Sequence, residues 1–169
     1  MYLGKKSEKQ LIIFPRILSG SQEFSSMSQT RKQARKAAIQ ALYQWQLAEQ
    51  NIGEIESQFR EERQNSKIDF EYFSELLHAV PKQIDELDAL IEPHVDRTMK
   101  EINPVELSIL RMSVYELKHR LDIPYRVVIN EAVELTKQFG ADQGFKFVNS
   151  VLDNLSKTLR QAESKSSKN

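Results

Sequence analysis

Apolar residues recur along most of this chain at the three- and four-residue spacing of amphipathic helices. Ala34, Ala37, Ala38, Ala41, Leu42 and Trp45 form the clearest stripe, with Thr30 placed to cap the helix that carries it. A short helix is predicted from about Gly53 to Arg63, burying Ile55 and Phe59. Asp69 caps a third, with Phe70, Phe73, Leu76, Leu77 and Val80 inside, and Pro81, which has no N–H to donate, must kink or restart it. The next carries Ile84, Leu87, Leu90, Ile91 and Val95. Asn103-Pro104-Val105-Glu106 is a strong helix start: Asn caps, Pro takes the first helical position, and Glu occupies the position from which a capping-box side chain reaches back. Leu107, Leu110, Val114 and Leu117 continue that helix, and Asp122-Ile123-Pro124 ends it. Val128, Ala132, Leu135 and Phe139 give another, stopped by Gly140 just past its end. Asp142 can cap the last, which buries Val148, Val151, Leu152, Leu155 and Leu159.

No stretch alternates with period two for long enough to make a strand. The pattern predicts an all-α fold, a compact bundle of about seven helices without internal repeats. Residues 1–27 show no periodicity and read as a disordered extension, with Met27 as the natural start and residues 1–26 as an upstream addition. Residues 28–160 make the helical domain, and 161–169 a flexible Lys- and Ser-rich tail.

Composition narrows the function classes. A length of 169 residues fits one domain. The absence of cysteine excludes disulfides, thiolate metal sites and a cysteine nucleophile. No apolar run reaches the roughly 18 residues a membrane span needs. Leu11-Ile12-Ile13-Phe14 is cut by Pro15 and Arg16 and is too short for a signal peptide, so the chain reads as cytoplasmic. Its zero net charge conceals an asymmetry: residues 28–48 carry Arg31, Lys32, Arg35 and Lys36 and no acid, whereas residues 49–155 carry 12 bases against 21 acids. A basic helix on an acidic body points to two partners of opposite charge.

His78, His94 and His119 are scattered without ligand-like spacing, and the five glycines form no phosphate-cradling loop. No enzymatic activity and no cofactor or metal is expected. On a helical wheel Lys32, Lys36, Ile39 and Tyr43 form one row opposite Ala34, Ala41 and Trp45, with Arg31 and Arg35 beside it. Cations beside an exposed ring suit single-stranded RNA, because the cations neutralise phosphates and the ring stacks on a base. Lys146-Phe147 is a second, smaller patch of the same kind.

The same residues carry a family resemblance. Arg31-Lys32-Gln33-Ala34-Arg35 followed by Ala41-Leu42-Tyr43-Gln44-Trp45-Gln46 resembles the opening of the NusB family of transcription antitermination factors. The segment from Pro104 to Arg111, then Tyr115-Glu116-Leu117, Ile123 to Leu135, Phe139-Gly140 and Lys146 to Asp153 resemble its remaining signature, in order over about residues 28–158. Two positions depart: Gln33 stands where a well-known member carries a third consecutive arginine, and Gln143 replaces an acidic residue.

The resemblance implies two small helical sub-bundles. It implies binding to the boxA element of nascent ribosomal RNA together with NusE, a small ribosomal-subunit protein. It also implies a complex with RNA polymerase and other Nus factors that reads through terminators. By position it assigns RNA binding to Arg31, Lys32, Arg35, Tyr43, Lys146 and Phe147, with Lys36 in the same basic cluster, and NusE contact to Glu106, Arg111, Tyr115 and Glu116. Two other functions fit the residues: a helical adaptor that binds only protein, and an accessory RNA-binding domain like those fused to ribosomal RNA methyltransferases. The end of the chain at Asn169 leaves no room for the methyltransferase domain itself.

Overall fold

A computed structural model of the protein describes residues 20–166. Among them are eight α-helices: α1 (Gly20–Ala48), α2 (Ile52–Glu62), α3 (Phe70–Lys82), α4 (Ile84–Ile91), α5 (Pro104–His119), α6 (Tyr125–Phe139), α7 (Gly144–Leu159) and α8 (Gln161–Ser166). Short 3-10 turns at Glu92–His94 and Met99–Glu101 bridge α4 to α5. No helix among the described residues is long and apolar enough to cross a membrane.

Several ends form as local chemistry dictates. Asn51 accepts from the amides of Gly53 and Glu54, Asp69 from that of Tyr72, and Asn103 from those of Val105 and Glu106. Pro81 lies one residue from the end of α3, and the chain restarts at Ile84. Other ends differ from expectation. α1 begins at Gly20, so Thr30 is an interior residue whose hydroxyl donates back to Met27 O at 3.0 Å, and the boundary expected at residue 27 falls inside a helix. Residues 1–19, including the apolar run at 11–14, lie outside the described residues. The start of the expected flexible tail forms α8.

Val95 lies past the end of α4 in extended backbone. Gly140 has φ −80° and ψ −179°, so it is not a left-handed stop. Glycine is needed there for close approach, since a Cβ would lie 2.8 Å from Thr136 and 3.3 Å from Glu106. The left-handed residue is Gln143, at φ 64°, and it occupies the position before α7 where Asp142 was the expected cap.

α1, α2 and α3 pack together as one sub-bundle; α6 and α7 pair in the other, with α4 and α8 against α7. α5 touches α1, α3, α4, α6 and α7, so it belongs to both. Eleven of its sixteen residues are buried. The stripe Leu107, Leu110, Val114 and Leu117 is only half of that surface, and Ile109, Met112 and Tyr115 fill the opposite side.

A helix buried at its C-terminus must have its last carbonyls satisfied by something other than water. Arg160, 4% exposed just after α7, supplies the donors. Its guanidinium bonds Leu117 O at 2.6 Å, Arg120 O at 2.8 Å, Ile123 O at 3.0 Å and Glu116 O at 3.2 Å. Glu163 of α8 holds the same guanidinium at 2.7 Å. Replacing Arg160 with Met keeps the apolar stem and removes every donor. We expect unfolding free energy to fall by about 2–4 kcal/mol, because buried carbonyls lose their partners. A denaturant titration showing a change under about 0.5 kcal/mol, the ordinary range for surface substitutions, would contradict this role.

Candidate nucleic-acid interface

α1 turns about 100° per residue, and its buried positions, from Ala34 to Leu42, sweep an arc of roughly 200°. The arc that remains holds Lys32, Gln33 and Tyr43, which are exposed, and Lys36 and Gln40, which are half-buried. Tyr43 is 37% exposed, and neither Lys32 nor Lys36 is in an ion pair among the described residues. Ile39, expected in that row, is buried at its edge.

Two of the four clustered cations face inward instead. Arg35 lies on the wheel between Leu42 and Ile39 and is 4% exposed. Its Nε donates to Glu116 Oε1 at 2.7 Å, and the Tyr72 hydroxyl donates to the same oxygen. Burial works against the charge on Arg35, yet the Glu116 carboxylate and Tyr72 outweigh it and hold the guanidinium protonated. Burial pushes the Glu116 carboxyl up. Arg31 is about one-quarter exposed, 3.6 Å from Asp122 and 4.0 Å from Asp69. The guanidinium groups of Arg31, Arg35 and Arg120 all lie 4.8–5.4 Å from the centre of the Tyr72 ring. Arg35 is therefore a core ion-pair residue. A sign of this existed in the sequence, because Arg31 and Arg35 are both flanked on the wheel by the apolar positions Ala38, Leu42 and Ile39.

The second patch follows the turn between α6 and α7. Lys36 Nζ lies 5.7 Å from the Phe139 ring at the end of α6. The turn that follows packs on Glu106, since a Cβ on Gly144 would fall 1.7 Å from Glu106 Oε1. Gly144 begins α7, which carries Lys146, exposed, and Phe147, half-buried. Arg97, from the loop between the 3-10 turns, covers Phe147 at 4.2 Å. No periodicity marked Arg97, which reaches the site from an irregular loop. Between α1 and α6 a cleft of about 90 Å³ is lined by Lys32 and Lys36 together with Glu131 and Glu134.

The residues expected to meet a protein partner do not form a surface. Glu106 is 4% exposed, Tyr115 7% and Glu116 1%. Glu106 does not complete a capping box; it lies against Gly144, and burial pushes its carboxyl up against the pull of Arg97. Tyr115 donates to Glu75 at 2.9 Å, and its own pKa is pushed up to about 12, chiefly by burial. Arg111 is held by both Asp88 oxygens at 2.7 and 2.8 Å. The reason is the central position of α5, which packs against five other helices.

Fold and surface together define the class: a small helical bundle that presents an open lysine and tyrosine face suited to a polyanion. The chain belongs to the NusB family, whose family model matches residues 32–157. It is 52% identical over 139 residues to the transcription antitermination protein NusB of Hahella chejuensis, covering 82% of this chain and 93% of that one. It is 51% identical to the protein of the same name from Pseudomonas putida, over 85% of this chain and 86% of that one. Among solved structures, antitermination factors NusB and NusE in complex with double-stranded RNA include a chain that is 33% identical, with a TM-score of 0.67, covering 76% of this chain and 97% of that one. NusB of Aquifex aeolicus in solution is 32% identical with a TM-score of 0.65, over 79% and 91%.

Two predictions follow from the buried charges. Arg35→Ala should destabilise the protein by about 3–5 kcal/mol, because it leaves Glu116 buried without its partner. Adding Glu116→Gln should recover part of that loss, and denaturant unfolding of the single and double variants measures both. Glu106 gives a pH signature. Its folded pKa is raised, so its contribution favours the fold at low pH and is lost as pH rises through that pKa. Glu106→Gln should therefore raise Tm at neutral pH, and the gain should vanish toward about pH 4. A gain that persists unchanged at the acidic end would show that ionisation is not its source.

Proposed function

We propose that this protein binds boxA-type RNA through the exposed arc of α1 and the start of α7, and does so with NusE in the antitermination complex of RNA polymerase and other Nus factors. The observation that carries this is the solvent-facing row of Lys32, Lys36 and Tyr43 on α1, unneutralised by any ion pair among the described residues, with Lys36 Nζ 5.7 Å from the Phe139 ring that precedes the α6–α7 turn. Lysines 32, 36 and 146 supply the phosphate contacts. Tyr43 supplies a ring for stacking, a contact worth about 1–3 kcal/mol per base. Arg31, held between Asp69 and Asp122, acts at the margin, and Arg35 acts only through the fold. The relatives' name as transcription antitermination proteins and the RNA and NusE in a similar solved complex support the same function. Exposed acids on and after α4, among them Asp85, Glu86 and Glu92, supply long-range attraction for a basic protein partner.

The experiment is a titration with boxA RNA and a scrambled control, with NusE added or omitted. The variant Lys32→Ala/Lys36→Ala/Lys146→Ala should keep its Tm while losing RNA affinity. Its salt slope should fall by up to about two units, since each neutralised phosphate on a single strand contributes roughly 0.7. An unchanged slope in the folded triple variant sinks the proposed face. NusE capture with no RNA binding in either state would make the protein a protein-only adaptor.

A further inference from the structure

The polar edge of α1 away from α6 forms one wall of a groove of about 570 Å³. Gln33, Lys36 and Gln40 line it from α1, and Arg63, Ser66 and Lys67 line it from the connection between α2 and α3. Three of its lining residues are cations and none is an acid. The far wall is fixed to the near one, because Asp69 N donates to Thr30 O at 3.2 Å. Arg63 is also set in place without a ligand. Its Nη2 donates to Gln40 Oε1 at 2.9 Å, its guanidinium lies 4.3 Å from the Phe59 ring, and its Nη1 takes Glu62 at 3.0 Å. Lys67 is exposed and is in no ion pair among the described residues.

We infer that this groove is a phosphate-binding channel, through which an RNA strand held on the exposed arc of α1 continues past Lys36 toward Lys67. The inference rests on the RNA reading above and adds a second arm to it. Lys36 and Gln33 line both this groove and the cleft on the α6 side, and Lys36 is the cation that joins the two paths. The lining has no aromatic ring on which a base could stack. What it offers is cations and neutral amide and hydroxyl donors, the groups that hold phosphate oxygens without reading sequence. The channel thus adds affinity and salt dependence, and leaves sequence preference to the face that carries Tyr43.

The test compares Lys67→Glu with the unaltered protein, using a 20-nucleotide boxA-containing RNA and a scrambled RNA of the same length, with and without NusE. Lys67 is exposed, so the variant should keep its Tm. Affinity should drop about three- to tenfold at low salt for both RNAs, and the salt slope should fall by at least about 0.7. Lys67→Arg should bind both as the unaltered protein does. Unchanged affinity and slope in Lys67→Glu, while the unaltered protein binds RNA, overturns the channel and leaves the RNA face standing. A loss confined to the boxA sequence overturns it too, since the groove would then be reading bases. Weakening of NusE binding alone makes the groove a protein surface. Absence of RNA binding by the unaltered protein removes both readings.

Discussion

The structure depends on burying a charge. α5 runs through the centre of both sub-bundles, and Glu116 on it is 1% exposed. A carboxylate there is tolerable only with a partner of opposite charge and with its hydrogen bonds made. Arg35 from α1 and Tyr72 from α3 meet both needs at the same oxygen. The pair therefore fixes three helices at one point, in rotation as well as in distance. Because α1 must point Arg35 inward, Lys32 and Lys36 must point outward, on the arc that the proposed RNA path uses.

The two ends of α5 are handled by different means. At its start, the Glu106 side chain fills the space left by two glycines, Gly140 and Gly144, and so sets how closely the α6–α7 turn approaches. At its end, Arg160 returns from the far end of α7 to cover four carbonyls. One central helix thus couples the position of the second patch to the stability of the C-terminal region. The acids that neutralise Arg31 and Arg120 also draw those cations off the surface, leaving Lys32 and Lys36 as the unpaired cations of α1 among the described residues.

Much of this was legible in the residues themselves. Helix spacing, the caps at Asp69 and Asn103, and the break after Pro81 arise from interactions within a few residues, so the order of helices could be read directly. The acid-free stretch of α1 and the family signature were equally local. The start of α1 at Gly20 was missed because no apolar stripe marks that first part. The left-handed Gln143 and the true reason for Gly140 were missed because both reflect the α6–α7 approach and not a turn preference.

The sequence by itself determined which segments are helices and that one of them carries concentrated positive charge, because periodicity and charge are properties of neighbouring positions. Only the tertiary structure decided which of those charges reach solvent. Arg35 and Lys36 are adjacent in the chain, yet one is sealed in the core by Glu116, 81 residues away, and the other lines two grooves. Glu106, Tyr115 and Glu116 were assigned to a partner surface by position in the family signature and proved buried, since a match of positions does not show the five helices packed around α5.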